Sequence, residues 1–370
     1  MITREKRLKL KVSEYIEGLV PYPPGKPIEE LERELGITGS IKLASNENPL
    51  GPSPRAVEAI SKALGGLNRY PDGSCYYFKQ RLSEKLGVDP AMIVVGNGSN
   101  EIIELLVRAF ITPGDEAVMA APSFAVYPIA VRCAGGEARA VPLTADFRHD
   151  LAAMAKAVTD RTRVVFIANP NNPTGTIVTA SEFDAFLDEV PEDVVVCVDE
   201  AYFEFNRDPS YPDSLGYVKA GARPVIMLRT FSKTYGLAGL RVGYGVAGEE
   251  LAGYLEKVRQ PFNVNTLAQV AATACLDDDD HLERTLENNA RGLELLYDGA
   301  ARLGLDYVPT ETNFLLIKVG DGQGVYDALL KKGVIVRPMA SYGMAEYIRV
   351  TVGLAEENER FMNALKEVLR

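Results

Sequence analysis

The stretch VDEAYFEF at residues 198–205, followed after a polar interval by PVIMLRTFSKTYGLAGLRVGY at residues 224–244, decides how this chain is read. Two short β-rich apolar runs, residues 194–198 and 225–228, each stop abruptly at polar residues. Buried parallel strands do this where they deliver side chains to one edge of a sheet. The first run delivers Asp199 and the second, with its loop, delivers Lys233. In an open α/β sheet that edge is the ligand crevice.

Any one of Asp199, Lys233 and Arg241 alone reads as an ordinary surface charge. Together they describe a chemistry. Lysine is the amine that forms a Schiff base with an aldehyde cofactor, an acid holds a pyridine nitrogen protonated, and an arginine with a hydroxyl pins a phosphate. Pyridoxal phosphate carries all three features. The runs Asp199-Glu200-Ala201-Tyr202 and Thr230-Phe231-Ser232-Lys233, with Arg241 eight residues beyond the lysine, resemble the signature of the fold-type I pyridoxal-phosphate aminotransferases, in their histidinol-phosphate branch. The resemblance implies an α/β fold: a doubly wound, mainly parallel seven-stranded sheet and a smaller α+β domain. It implies domain limits of 1–45 for an arm and part of the small domain, 46–262 for the cofactor-binding domain and 263–370 for the rest of the small domain.

Composition agrees with a globular, cytosolic protein. The 370 residues are 46% hydrophobic, enough for a large core, and acidic residues outnumber basic ones 51 to 40, which gives nucleic acid no basic face to bind. Cys75, Cys133, Cys197 and Cys275 are far apart and only two histidines accompany them, so no cysteine-built metal site is expected. The basic N-terminus runs into Ser13 and Glu14 instead of an apolar segment, and no apolar run reaches eighteen residues, so neither secretion nor membrane spanning is expected.

Outward from the centre, further motifs keep the family's order. Residues 41–51 form a short strand breaking into the turn Asn46-Glu47-Asn48-Pro49, and Ser53-Pro54 opens a helix. Residues 92–95 read as a buried strand followed by Gly96-Asn97-Gly98-Ser99-Asn100 and a helix, a turn that aims free backbone N–H groups at one point. A plain N-cap looks the same. Strands are further read near residues 117, 164, 194 and 225, with an antiparallel one at 242–247. Thr179 and Glu182 form a capping box. Beyond residue 262 come a helical region over 266–303 broken at Asp277–Asp280, strands at 313–319, 334–337 and 347–352, and a closing amphipathic helix. Calcium binding at the aspartate run is disfavoured, because it lacks the glycine and spaced acceptors of a calcium loop.

The resemblance assigns the site residues. Lys233 is the Schiff-base lysine and proton carrier, Asp199 partners the ring nitrogen, and Tyr202 and Asn172 bind the phenolic oxygen. Phe124 stacks on the ring; Ser99, Asn100, Thr230, Ser232 and Arg241 grip the phosphate, with Tyr70 arriving from the second subunit of a homodimer. Tyr22, Asn48, Arg337 and Arg349 face the substrate, Arg349 on a carboxylate and Arg337 on a phosphate. The implied reaction is ping-pong transamination between histidinol phosphate and 2-oxoglutarate. An aromatic or broad-specificity aminotransferase is the alternative; a cofactor-binding regulator and a scaffold without cofactor are weaker rivals.

Overall fold

The computed structural model describes residues 10–21 and 24–370. Its centre is a seven-stranded sheet in the order Ile93–Gly96, Gly243–Ala247, Val225–Thr230, Val195–Asp199, Thr162–Ala168, Glu116–Ala121, Glu137–Pro142. Only Gly243–Ala247 runs against its neighbours, as its position directly after the lysine loop predicts. Successive residues of each inner strand alternate between two separate cores. Val196, Val198, Val225 and Met227 join one, while Val195, Cys197, Ile226 and Leu228 join the other. A sheet buried on both faces needs such unbroken apolar strands, with helices on each side.

Periodicity gave six of these strands, and Glu137–Pro142 is the one it missed. Its sequence, EARAVP, is largely exposed at the sheet edge. Arg139 there is turned to the fully buried Glu116 of the neighbouring strand at 2.6 Å. An edge strand read without its partner looks like polar loop.

A second, four-stranded antiparallel sheet runs Arg337–Pro338, Tyr347–Thr351, Phe314–Lys318, Tyr307–Val308. The helices Asp279–Arg302 and Ala355–Val368 bury Leu296, Phe361 and Leu365 against Ile317, Ile348 and Val350. The single strand expected over 334–337 is two: Val334–Ile335 pairs in parallel with Ile41–Lys42, and Arg337–Pro338 turns to Tyr347–Thr351. The N-terminal segment thus completes the smaller unit. Further upstream, Tyr15 rests against Gly135, where a Cβ would fall 2.9 Å from its ring. At the helix junction Asp278 caps Asp279–Arg302 and Asp277 pairs with Arg81, so both acids have structural work.

Candidate active site

The sheet register sets the two central residues. Asp199 lies opposite Leu228 at the carboxyl ends of adjacent parallel strands, and three residues past the end of Val225–Thr230 the chain reaches Lys233. Asp199 is buried, its Oδ2 accepting a 2.7 Å hydrogen bond from the Tyr127 hydroxyl and its Oδ1 one of 3.2 Å from the Ala201 N–H. Burial raises its pKa to about 6. Lys233 is half-buried, its Nζ 3.3 Å from the Ser45 carbonyl. Burial and, next, the Arg349 guanidinium lower it to about 8. Both residues line one cavity of about 310 Å³.

One corner of that cavity is built for an anion. Gly98 ends the turn at φ +79°, and the helix Ser99–Phe110 begins there with its N–H groups uncapped by any side chain. Arg241, itself left-handed at φ +61°, lies so close that a Cβ on Gly98 would meet its Nη2 at 2.8 Å. A Cβ on Gly243 would fall 2.4 Å from the Ser99 nitrogen, so two glycines permit this approach. Thr230 Oγ1 donates to Ser232 Oγ at 2.9 Å and accepts from the Ser232 N–H at 3.1 Å. Ser99, Asn100, Thr230, Ser232 and Arg241 all line the cavity, although the Asn100 amide donates to Glu104 at 3.0 Å.

Along the middle, Phe124 lines the wall edge-on to Tyr127, which stacks at 4.8 Å on Phe166. Asn172 and Tyr202 line the same cavity. The Asn172 Oδ1 accepts from Arg349 Nη1. The Tyr202 oxygen accepts from Asn46 Nδ2 at 2.7 Å, and burial pushes its pKa up to about 12. Arg337 and Arg349 are direct cross-strand partners, both buried; Arg337 lines the cavity. Arg349 lies behind Asn172, with Nη2 on the Ala44 carbonyl at 3.1 Å and its guanidinium 5.0 Å from the Phe314 ring.

Besides Arg349, which reaches the cavity only through Asn172, three expected residues are not brought into this group. Asn48 turns its amide away, donating to the Thr234 carbonyl at 2.8 Å and to Thr285 at 3.0 Å. Asn46, two residues earlier, lines the cavity instead. Tyr70 is 82% exposed and stacked on Phe262, away from the cavity lining. Tyr22 lies outside the described residues.

Sequence reasoning placed Asn46 in the turn bordering the cleft without giving it a role, and it missed Tyr127 and the buried pair of Glu200 and Arg229. Tyr127 stands three residues after Phe124, in the first turn of the helix Val126–Cys133, and meets its ring edge-on. The Glu200–Arg229 contact, 2.9 Å, ties the loop after Asp199 to the neighbouring strand. Nothing in the local pattern of either residue announces the other.

The chain belongs to the family described as aminotransferase class I and II, whose model matches residues 38–365. It is an aminotransferase with the fold of that family. Among its relatives, histidinol-phosphate aminotransferase of Moorella thermoacetica is 53% identical over 97% of this chain and 93% of its own length. Histidinol-phosphate aminotransferase 2 of Pseudomonas aeruginosa is 50% identical over 96% of each. A crystal structure of histidinol-phosphate aminotransferase from Sinorhizobium meliloti, in complex with pyridoxal-5'-phosphate, superposes with a TM-score of 0.88 at 30% identity, covering 98% of this chain and 99% of that one.

Proposed function

We propose that this aminotransferase binds pyridoxal phosphate in the cavity and transfers the amino group of histidinol phosphate to 2-oxoglutarate, giving imidazole acetol phosphate and glutamate. One observation carries the reading: Lys233 and Asp199 face a single cavity that also ends in a glycine-lined helix N-terminus. The donor set fits the cofactor. Its phosphate would sit on Ser99, Ser232 and Arg241 at the helix start, where backbone N–H groups and a cation favour an anion. Its ring would lie beside Phe124, with the ring nitrogen toward Asp199 and the phenolic oxygen toward Asn172 and Tyr202. A protonated ring nitrogen supplies the counter-charge that a buried Asp199 needs.

When bound, the cofactor supplies an aldehyde that takes up the amino group and a ring that accepts the electron pair of the broken Cα–H bond. The chain's own residues do the rest. Lys233 takes the proton from the substrate Cα and returns it at C4′; an amine near pKa 8 suits both directions at neutral pH. Asp199, held by Tyr127 and the Ala201 N–H, keeps the ring nitrogen charged. Arg349 holds a carboxylate and Arg337 a phosphate. Two guanidinium groups opposite each other repel, and a dianionic substrate offsets that.

The homodimer, Tyr70 on the partner's phosphate corner, the domain limits at residues 45 and 262 and a cytoplasmic setting belong to the same proposal. The four free cysteines suit a reducing compartment. No helix among the described residues is long and apolar enough to cross a membrane. Turnover of histidinol phosphate against phenylalanine, each with 2-oxoglutarate, tests the substrate. We expect kcat/KM to favour histidinol phosphate by about 10²-fold or more, the range for losing a charge-assisted contact to the substrate phosphate. Equal or better turnover of phenylalanine sinks this substrate and leaves the broad-specificity reading.

A further inference from the structure

Asn46 joins three parts of the molecule. It is buried, sits at φ +54°, and makes four hydrogen bonds to side chains. Its N–H donates to Thr351 Oγ1 at 2.9 Å, and Thr351 Oγ1 donates to its Oδ1 at 3.1 Å. Its carbonyl accepts from Asn313 Nδ2 at 3.1 Å, and its Nδ2 donates to the Tyr202 oxygen at 2.7 Å.

The donors in this set form one chain, because Thr351 Oγ1, which has room to accept a second time, instead donates to the Asn46 side-chain oxygen. A backbone N–H can only donate, so Thr351 Oγ1 must accept from Asn46. A threonine hydroxyl has one hydrogen, and here it goes to the Asn46 side-chain oxygen. The remaining amide atom facing Tyr202 is then the nitrogen, which must donate. The phenol oxygen is thereby an acceptor on that side, and its own hydrogen has to leave in another direction. Tyr202 lines the cavity, so the open direction is into it.

We propose that Asn46 is a positioning residue: through Thr351 its amide is locked in one orientation, and that orientation commits the Tyr202 hydrogen to a partner in the cavity. On the reading of the site given above, that partner is the phenolic oxygen of the bound cofactor. Accepting from Asn46 also polarises the phenol and makes it a stronger donor. A strong donor at the phenolic oxygen stabilises the form of the Lys233-linked chromophore that has lost its proton. Loss of the relay therefore raises the pH at which the visible absorbance titrates. The charged and titratable groups near Tyr202 are Arg349, Asp199, Tyr127 and Tyr342, with the Lys233 amine 5.7 Å from its ring centre and itself faced by Arg349, Glu47, Arg241 and Asp199. None of them is altered by the variants below.

The test is a pH titration of the visible band after reconstitution with pyridoxal phosphate. Asn46→Gly keeps the left-handed backbone and deletes only the amide. We expect its midpoint to rise by about 0.5 to 1 pH unit, and to show no further rise when added to Tyr202→Phe, because it acts through that hydroxyl. Thr351→Val gives a rise of the same sign, and Thr351→Ser restores the wild-type midpoint. An unchanged or lowered midpoint in Asn46→Gly, or an equal shift in both backgrounds, overturns the proposal. Should Asn46→Gly not take up cofactor, the Thr351 pair measured in both backgrounds decides by the same criteria. A wild-type protein that shows no visible band with pyridoxal phosphate instead removes the cofactor reading, a distinct result.

Discussion

Lys233 and Asp199 are charged groups taken out of water, and each shifts against its own charge. Lys233 falls from 10.5 to about 8. Between those values the unfolded chain holds a proton that the folded chain has released, so stability without cofactor rises with pH across the window and the full penalty stands below it. Asp199 rises from 3.8 to about 6. There the folded chain holds the proton that the unfolded one releases, so stability falls as pH climbs through that range and the full penalty stands above it. Around pH 7 both penalties act, on the order of 3 kcal/mol each at about 1.36 kcal/mol per unit. Cofactor-free Lys233→Met and Asp199→Asn should therefore each melt higher than cofactor-free wild type at pH 7. Calorimetry should find the Lys233→Met advantage gone by about pH 10.5 and the Asp199→Asn advantage gone near pH 4. In the loaded enzyme, Lys233→Met loses its proton carrier, and turnover should fall by about 10²–10⁴-fold.

Among the elements, the turn before Ser99–Phe110 and the start of Ala180–Glu189 make a contrasting pair. Both are helix N-termini. The second is closed by its own side chains, Thr179 Oγ1 accepting from the Glu182 N–H and Glu182 reaching back to the Thr179 N–H at 2.7 Å. Thr179→Ala should lower stability by about 1 kcal/mol and leave kcat/KM unchanged, which denaturant titration and a steady-state assay would establish. The first has a glycine cap with no side chain over it. Gly98→Ala would strain a left-handed residue and press on Arg241. Cofactor titration should show Kd raised about tenfold, roughly 1.4 kcal/mol, beyond any loss of apoprotein stability. The two ends looked alike in sequence apart from the capping box. What separates them is Arg241, 143 positions away in the chain, brought against Gly98 by the antiparallel pairing of Gly243–Ala247 with Ile93–Gly96.

Across the whole molecule, large apolar side chains are exposed in several segments. Leu64, Leu67, Tyr70, Tyr76, Tyr77 and Phe262 are among them, Tyr70 stacked on Phe262, and the proposed homodimer would cover them. Sedimentation should find the wild type dimeric and Leu67→Glu shifted toward monomer. Activity should fall with it, since Tyr70 would no longer reach a neighbouring site. A wild type that sediments as a monomer at assay concentration would exclude that role for Tyr70. The smaller unit is held to the cavity by the segment around Asn46, which bonds to Thr351, Asn313 and Tyr202 together.

The chain's own pattern determined the doubly wound sheet, the strand ends that deliver Asp199 and Lys233, and the helix starts at Ser53, Ser99 and Thr179. These are local matters, because strand burial, turn chemistry and capping are written in neighbouring residues. Tertiary structure alone decided that Glu137–Pro142 is a strand, that Asn46 and not Asn48 reaches the cavity, that Tyr127 holds Asp199, and that Arg337 and Arg349 stand opposite each other. Each of these depends on a partner distant in the chain, and the direction of a hydrogen bond or the pairing of an edge is set by what the fold places across from it.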